Sequence, residues 1–383
     1  MELSIIMPCL NEGETLEACI VKAQRALREG NIRGEIIIAD NGSTDNSREI
    51  AERCGARVAR INARGYGNAL MGGIAAAQGK YIMMGDADDS YDFLEAPRFL
   101  EKLRQGCDLV QGCRLPSGGG TVAAGAMPWS HRWIGNPAFT IMAQRMFRSP
   151  IHDINCGMRA FSREFYESLD MRCTGMEFAV EMIIKASLRG VKIGEIPITL
   201  HRDGRISHKA HLRTIRDGWR TLRFYLVHSP RWLFFNPGLL LVACGLIAYG
   251  VALPGLRIRG VHFDVHTLLF GSLAILLGWQ SIIFALMAKT FAVTEKILPE
   301  DPRLSRFFKI MTLEKVLLLG SLTLLSGLLL LACAVGQWWA VRFGNLDYDT
   351  TMRWVIPGVT LSALGFQTVL SGFFVSILGM ARR

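Results

Sequence analysis

Three carboxylates crowd four positions in Gly85-Asp86-Ala87-Asp88-Asp89. Like charges that close repel unless a cation neutralises them. Asp86 and Asp88 lie two apart, which in extended backbone turns them to the same side. Such a pair suits a divalent ion held by one or two carboxylates, with water and substrate phosphates in the remaining positions. A solvated turn is the ordinary reading of an isolated D-x-D, but the apolar run Tyr81–Met84 directly ahead of this one argues against it. Three other polar clusters resemble it in placement. Pro8-Cys9-Leu10-Asn11-Glu12 follows the apolar Leu3–Met7, and Asp40-Asn41-Gly42-Ser43-Thr44-Asp45 follows Glu35–Ala39. Arg64-Gly65-Tyr66-Gly67-Asn68 follows Arg57–Ile61, and its glycines would let backbone approach a phosphate closely. His131, His201, His208 and His211 have no metal-site spacing, and the nine cysteines form no C-x-x-C pair. They are expected as reduced thiols.

The elements that must position these residues alternate in type. Strand-length runs at Leu3–Met7, Glu35–Ala39, Arg57–Ile61 and Tyr81–Met84 are separated by helical spacing over Thr15–Leu27, Asp45–Cys54 and Asn68–Ala77. That order predicts an α/β fold, a mostly parallel sheet covered on both faces. Ligands of such sheets bind beyond the carboxyl ends of the strands, where the polar clusters fall.

Near Arg231 the chain changes solvent. Four stretches free of Asp, Glu, Lys and Arg follow, at 232–256, 265–288, 316–341 and 354–381. Each can supply the roughly 20 apolar residues that cross a bilayer core, with spans expected at about 234–254, 265–288, 316–340 and 355–379. Lys289, Lys296, Arg303, Arg306, Lys309 and Lys315 occupy one loop and Arg382-Arg383 the end, whereas the other two loops carry only Arg257 and Arg259, and Arg342 and Arg353. Basic loops face the cytoplasm, which puts both termini and the N-terminal half on that side of an integral membrane protein. Trp338, Trp339 and Trp354 sit at span ends, the headgroup depth that suits an amphipathic ring. Between the halves, Leu212, Ile215, Trp219, Leu222 and Leu226 form one helical stripe, with Arg213, Arg216, Arg220 and Arg223 beside it. This predicts an interfacial helix over 211–231, the alternative being a basic face packed on the soluble domain. The net charge of +10 sits beside the spans without interleaved aromatics, which excludes nucleic acid as a partner. The N-terminus, acidic at Glu2 and interrupted at Pro8, does not resemble a secretory signal.

In order along the chain, Pro8…Asn11-Glu12, Asp40-Asn41-Gly42-Ser43-Thr44-Asp45 and Asp86-Ala87-Asp88 resemble the signature of family 2 inverting glycosyltransferases of GT-A fold. Gly112-Cys113-Arg114, Asp153-Ile154-Asn155-Cys156-Gly157-Met158-Arg159 and Glu195-Ile196-Pro197-Ile198, running into Arg202 and Lys209, are most similar to polyprenyl-phosphate sugar synthases, the dolichol-phosphate mannose or glucose type. The resemblance covers roughly residues 3–210 and implies a GT-A domain at 1–210, ahead of a transmembrane domain at 232–383.

The resemblance further implies roles. Pro8, Asn11, Glu12 and Asp40 or Asn41, with Arg64, would hold the nucleotide-sugar. Asp86 and Asp88 would hold Mg2+ or Mn2+ on the diphosphate, and Arg202 would reach the donor phosphates. Arg114, Arg132 and Asn136 would meet the phosphate of a polyprenyl phosphate acceptor. Asp153 would sit near the reacting carbon, either orienting the acceptor or stabilising positive charge; otherwise it caps a helix and pairs with Arg159. Two residues depart from the family pattern: Asn41 replaces a second aspartate, and Asp89-Ser90 replaces Leu-Gln. Gly118-Gly119-Gly120 is expected as a mobile loop over the site. A processive polysaccharide synthase is the nearest rival, but Gln144-Arg145-Met146-Phe147-Arg148 fails its Q-x-x-R-W pattern. A lipid carrier or scaffold that merely binds nucleotide is the non-enzymatic alternative. Loss of Asp86 distinguishes it, and association with a second copy is left open.

Overall fold

The computed structural model describes residues 1–205, 214–258, 260–295 and 297–380. Lys209, His208, His211, Leu212, Arg213, Arg259, Lys296, Arg382 and Arg383 therefore lie outside the described residues. The chain forms two compact units, Met1–Tyr225 and Leu226–Arg383.

The described residues of the first unit form nine strands, β1 Leu3–Cys9, β2 Gly34–Asp40, β3 Arg57–Arg60, β4 Tyr81–Met84, β5 Leu109–Cys113, β6 Thr121–Val122, β7 Arg159–Ser162, β8 Ile193–Pro197 and β9 Thr199–Leu200. Seven of them make one sheet in the order β3-β2-β1-β4-β7-β5-β8. All neighbours pair in parallel except β7, which runs antiparallel to both β4 and β5. β6 and β9 form a separate parallel pair. The four expected strands are present, with β1 extended to Cys9 and β2 to Asp40. Their side chains, such as Ile5, Ile6, Ile37, Ile38, Met83 and Met84, are buried on both faces, as parallel strands between helical layers must be.

The covering helices are α1 Leu16–Glu29, α2 Ser47–Arg53, α3 Tyr66–Ala76, α4 Ala96–Arg104, α5 Asn136–Phe147, α6 Arg163–Leu169 and α7 Glu177–Arg189. The expected start of α3 was Asn68; the helix begins two residues earlier because Gly65, at φ 132°, turns the chain into it. Gly118–Gly120 is a packed turn instead of an open loop. The Gly120 amide donates to the Leu115 carbonyl at 3.0 Å, and a Cβ at Gly120 would fall 2.1 Å from the Cys113 oxygen.

Helix α8, Thr214–Val227, carries the arginine-and-apolar rhythm. Its C-terminal turns dock on the sheet unit: Tyr225 is fully buried between Phe139 and Phe147 of α5, at ring separations of 5.9 and 5.6 Å. Arg220 reaches Glu177 at 3.7 Å. Trp219, in contrast, is 62% exposed. The helix is thus packed through Tyr225 and open at Trp219.

In the second unit, α9 Asn236–Ala252 together with the turn before it (Arg231–Ala252), α10 Val265–Thr294, α12 Leu313–Ala340 and α13 Tyr348–Leu378 are long and apolar enough to cross a membrane. A one-turn π-helix over Arg231–Phe235 leads into α9. Helix continues past the expected spans, to Thr294 in α10 and back to Leu313 in α12 and Tyr348 in α13, and Asp264 and Asp347 accept from backbone amides at the starts of α10 and α13. The basic loop folds into a helix of its own, α11 Pro302–Ile310.

Two pairs of these helices approach backbone to backbone at glycines seven residues apart. Gly238 and Gly245 face Gly278 and Gly271, and Gly327 and Gly320 face Gly358 and Gly365. A Cβ on Gly365 would lie 2.3 Å from the Leu324 nitrogen and 2.6 Å from the Gly320 oxygen, so no side-chain rotation can relieve it. Small residues let helices pack where lipid gives no hydrophobic drive. Gly365→Val should lower the thermal midpoint of the detergent-solubilised protein, at a cost of about 1–3 kcal/mol or more from overpacking. Gly336→Val, where a Cβ meets nothing within 4 Å, is the control and should leave the midpoint unchanged.

Candidate active site

The carboxyl ends of β1, β2 and β4 converge, and their charged side chains are gripped by donors of two kinds. Asp153, between α5 and β7, is the saturated case. It is fully buried, and its Oδ2 accepts from the Arg114 backbone amide at 3.0 Å and from Nε at 2.7 Å, while Oδ1 accepts from Nη2 at 2.9 Å. Burial opposes charge on Arg114, but the Asp153 carboxylate outweighs it and holds the guanidinium's pKa well above its ordinary value. The helix-cap alternative fails on its partner: Arg159 donates instead to the main-chain oxygens of Cys156, at 2.6 Å, and Ala179. Gln111 donates to the carbonyls of Asp153 and Cys156 at 3.2 and 2.9 Å, holding that loop to β5.

Tyr91 joins this pair to the paired aspartates. Its hydroxyl accepts from Arg114 Nη1 at 3.3 Å and from the Gly157 amide at 2.9 Å. A Cβ on Gly157 would lie 2.7 Å from Asp86 Oδ2, so only glycine admits the carboxylate there. Asp86 Oδ1 accepts from the Tyr66 hydroxyl at 2.9 Å. Asp88 Oδ1 accepts from Ser90, at 3.1 Å from its amide and 2.6 Å from its hydroxyl. Burial first, and the neighbouring Asp88 charge second, push the Asp86 carboxyl up to about 6. Burial and then the Asp86 charge push the Tyr66 phenol well above its ordinary value, so it remains a donor.

Arg205 is the residue the sequence did not single out. Its Nε and Nη2 grip Glu12 in a fork at 2.7 and 2.6 Å. Its Nη1 meets Asp203 at 2.8 Å and stands 3.5 Å from Asp88. Burial works against this charge, while the hydrogen bond to Glu12 and the Asp88 charge raise its pKa. The strap that carries it is fastened to the aspartate loop: the Gly204 amide donates to the Asp88 carbonyl, and the His201 amide to that of Ser90, each at 2.9 Å. Arg202, chosen from the sequence, is exposed and donates to the Ala124 carbonyl. The turn at Asp203-Gly204 brings in the arginine three residues later, and that turn was the available signal.

The remaining expected residues divide by what they touch. Asp40 Oδ1 accepts from the Ser43 amide at 3.0 Å and Oδ2 lies 3.4 Å from Arg48. Asn11, at φ 59°, accepts from the Thr44 amide at 2.8 Å. Pro8 pairs in β1 with Ala39 of β2. Asn41 and Glu12 already have protein partners, the former through a set described below. Arg64 is exposed, and its carbonyl accepts from Asn68 at 2.9 Å. Asn136 accepts from Asn155 at 3.0 Å, and the Arg132 guanidinium lies 5.2 Å from the Trp133 ring. Asp89, at φ 60°, is tied to Lys22 at 2.8 Å, which takes it out of the carboxylate pair.

The described residues include no group of three or more His, Cys, Asp or Glu able to hold a metal by themselves. Two carboxylates of all-oxygen chemistry, each with one oxygen held by neutral donors, nevertheless fit a hard divalent ion completed by phosphate and water.

A mostly parallel sheet with this acid-lined rim thus stands in a chain with four membrane-length helices. The chain belongs to glycosyltransferase family 2: residues 4–170 match the family described as Glycosyl transferase family 2, and residues 286–379 match the Glycosyltransferase family 2 C-terminal transmembrane region. It is 36% identical to the low-salt glycan biosynthesis hexosyltransferase Agl6 of Haloferax volcanii over 379 residues, which cover 98% of this chain and 89% of that one. A dolichyl-phosphate hexose transferase of the same organism is 32% identical over 51% of this chain and 82% of its own length. Among solved structures, glucosyl-3-phosphoglycerate synthase of Mycobacterium tuberculosis, crystallised with Mn2+, UDP and glucosyl-3-phosphoglycerate, aligns at TM-score 0.46 and 23% identity, covering 58% of this chain and 79% of that one.

Removing one partner of a buried ion pair strands the other charge, at about 3–5 kcal/mol. Arg114→Met should therefore lower unfolding stability by that order and leave folded protein inactive. Denaturant unfolding in detergent checks it; an unchanged midpoint would show that Asp153 does not need its partner.

Proposed function

We propose that this glycosyltransferase moves one hexose from a nucleotide-sugar to a polyprenyl phosphate, with inversion at the anomeric carbon and with a divalent cation, at the cytoplasmic face of the membrane. One observation carries the reading: two acids at the tip of β4 lie beside Arg114 and Arg205, in a chain built with four membrane-length helices. The names of the Haloferax relatives, a hexosyltransferase and a dolichyl-phosphate hexose transferase, support the transferred group and the acceptor class.

The chemistry asks little of a base. A lipid phosphate is already ionised at neutral pH, so it can attack the anomeric carbon without surrendering a proton to the protein. What must be supplied is neutralisation, because two anions meet as a nucleoside diphosphate departs. A bound Mg2+ or Mn2+, held by Asp86 and Asp88, would supply Lewis-acid stabilisation of the departing diphosphate.

The chain's own residues do the rest. Three of the five N–H groups of Arg114 are engaged by Asp153 and Tyr91 among the described residues, which leaves two to bind an acceptor phosphate in a fixed plane. Asp153 acts through Arg114 as its positioning residue, since both of its oxygens are already taken. Arg205 holds Glu12 and Asp88 together and would turn to the donor's phosphates as they enter. Glu12, Asp40, Asn11 and Asn41, at the ends of β1 and β2, are the proposed wall for the nucleoside, and Arg132 and Asn136 flank the acceptor.

The basic loop, now helix α11 with Arg303, Arg306 and Lys309, supports a cytoplasmic orientation by the positive-inside rule. Trp129, Trp133 and Ile134, 68%, 54% and 57% exposed beside Arg132, form an amphipathic face suited to headgroup depth, near an acceptor whose phosphate lies there.

The test is a panel. Purified protein in detergent receives UDP-glucose, GDP-mannose and related donors with a polyprenyl phosphate, and the lipid product is identified by mass. One donor should yield a glycosyl-monophosphoryl polyprenol with a single hexose. Chains of several hexoses, or no lipid product from any donor, would overturn the reading.

The cation assignment has a sign as well as a site. With the carboxyl of Asp86 raised to about 6, a proton competes for it below that pH. Manganese affinity should fall by about tenfold per unit as pH drops below that value, and hold level above it. Asp88→Ala should abolish transfer, and added metal should not restore it. A manganese titration across that pH range, and turnover of the variant, check the two; a flat profile with active variant would discard the assignment.

A further inference from the structure

The family pattern places a second aspartate where this chain has Asn41, and the structure gives the amide a task that a carboxylate could not perform. Asn41 Nδ2 donates to the carbonyls of Ile61 and Ala63 at 3.2 and 2.8 Å. Its Oδ1 accepts from the Gly65 amide at 2.7 Å. A carboxylate accepts only, so it would face those two carbonyl oxygens with no hydrogen to offer. The amide therefore clamps the turn after β3 to the tip of β2.

That turn ends at Gly65, whose φ of 132° is open to glycine and strained for other residues. The next residue is Tyr66, the first of α3, and its hydroxyl donates to Asp86 Oδ1. Gly65 and Gly67 have no room for a Cβ: one would lie 2.4 Å from the Thr174 carbonyl oxygen, the other 2.4 Å from that of Cys173. The turn is fixed on both sides. A continuous path thus runs from Asn41 through Gly65 and Tyr66 to Asp86, joining the ends of β2 and β4.

We infer that Tyr66, held in register by Asn41, is the positioning residue for Asp86, fixing the carboxylate in the one orientation that leaves it free to bind a divalent cation. The phenol is suited to this because it is neutral: it orients the carboxylate without cancelling the charge that attracts the ion. Ser90 treats Asp88 in the same way, through its amide and hydroxyl on Oδ1. Asp86 is thus presented as an oriented carboxylate with no arginine paired to it, while Asp88 keeps Arg205 at 3.5 Å and Asp153 is neutralised outright by Arg114. Second partners of metal ligands commonly govern affinity by about 10–100-fold. The inference rests on the cation reading proposed above and goes beyond it in assigning the residues that set the ligand's geometry.

The test measures manganese binding by the electron paramagnetic resonance of free Mn2+, with UDP present, on full-length protein in detergent. Tyr66→Phe removes one oxygen atom and should weaken Mn2+ binding about tenfold or more, with UDP affinity in the absence of metal unchanged. Asn41→Asp reports through different atoms and should weaken Mn2+ binding in the same direction. The double variant should be no weaker than the worse single one, since both act along one path. Unaltered Mn2+ binding by Tyr66→Phe overturns the inference, and so does a lowered melting temperature with unaltered binding, which would make the hydrogen bond merely structural. Additive losses in the double variant would also overturn it, by separating Asn41 from Tyr66. Failure of the unsubstituted protein to bind Mn2+ with UDP and likewise with GDP would instead sink the cation reading itself, and this inference with it.

Discussion

Like charge gathered at one edge of a sheet is the constraint around which the catalytic domain is built. Parallel strands end together, so acids placed after them meet: Glu12 after β1, Asp40 closing β2, Asp86 and Asp88 after β4. Left alone they would repel one another and resist burial. Each is met by a donor from another part of the chain. Arg48 attends Asp40, Arg205 grips Glu12 and stands beside Asp88, and Tyr66 and Ser90 hold one oxygen each of the paired aspartates.

The donors differ in kind, and the difference divides structural from reactive acids. Asp153 receives three hydrogen bonds from one arginine and is wholly enclosed. Such a pair is rigid, and its carboxylate has no oxygen left unheld. Asp86 receives a neutral phenol and sits in the notch left by Gly157, with its carboxyl raised to about 6 because Asp88 is so near. The protein holds this carboxylate in place through a neutral donor and leaves its charge unpaired, as the proposed cation site would require.

The second unit solves a different problem in a different solvent. With lipid around it there is no gain from hiding apolar side chains, so Leu322, Leu325, Leu329 and Phe373 face outward. Association rests instead on close backbone approach, and the glycines at sevenfold spacing in α9 with α10, and in α12 with α13, permit it. Several polar groups pair across the helices: Tyr249, Ser272 and Thr360 hydrogen-bond to one another at 2.6–3.0 Å, and the Trp279 indole donates to Thr368 at 3.2 Å.

The amino-acid sequence by itself determined whatever depends on local pattern. Alternating strand and helix periods, polar clusters at strand ends, four uncharged stretches of membrane length and the D-x-D pair are properties of neighbours along the chain, and hydrophobic burial needs no more than these to choose the elements. Tertiary structure alone decided which charges meet. Asp153 pairs with Arg114, 39 residues away, and not with Arg159, six residues on. Arg205 crosses 193 positions to reach Glu12, while the exposed Arg202 turns to a carbonyl. Tyr66 finds Asp86 only because α3 begins where β4 ends, at one rim. No spacing rule encodes such encounters, because hydrogen bonds and ion pairs act over a few ångströms and the fold sets which distant residues come within that reach.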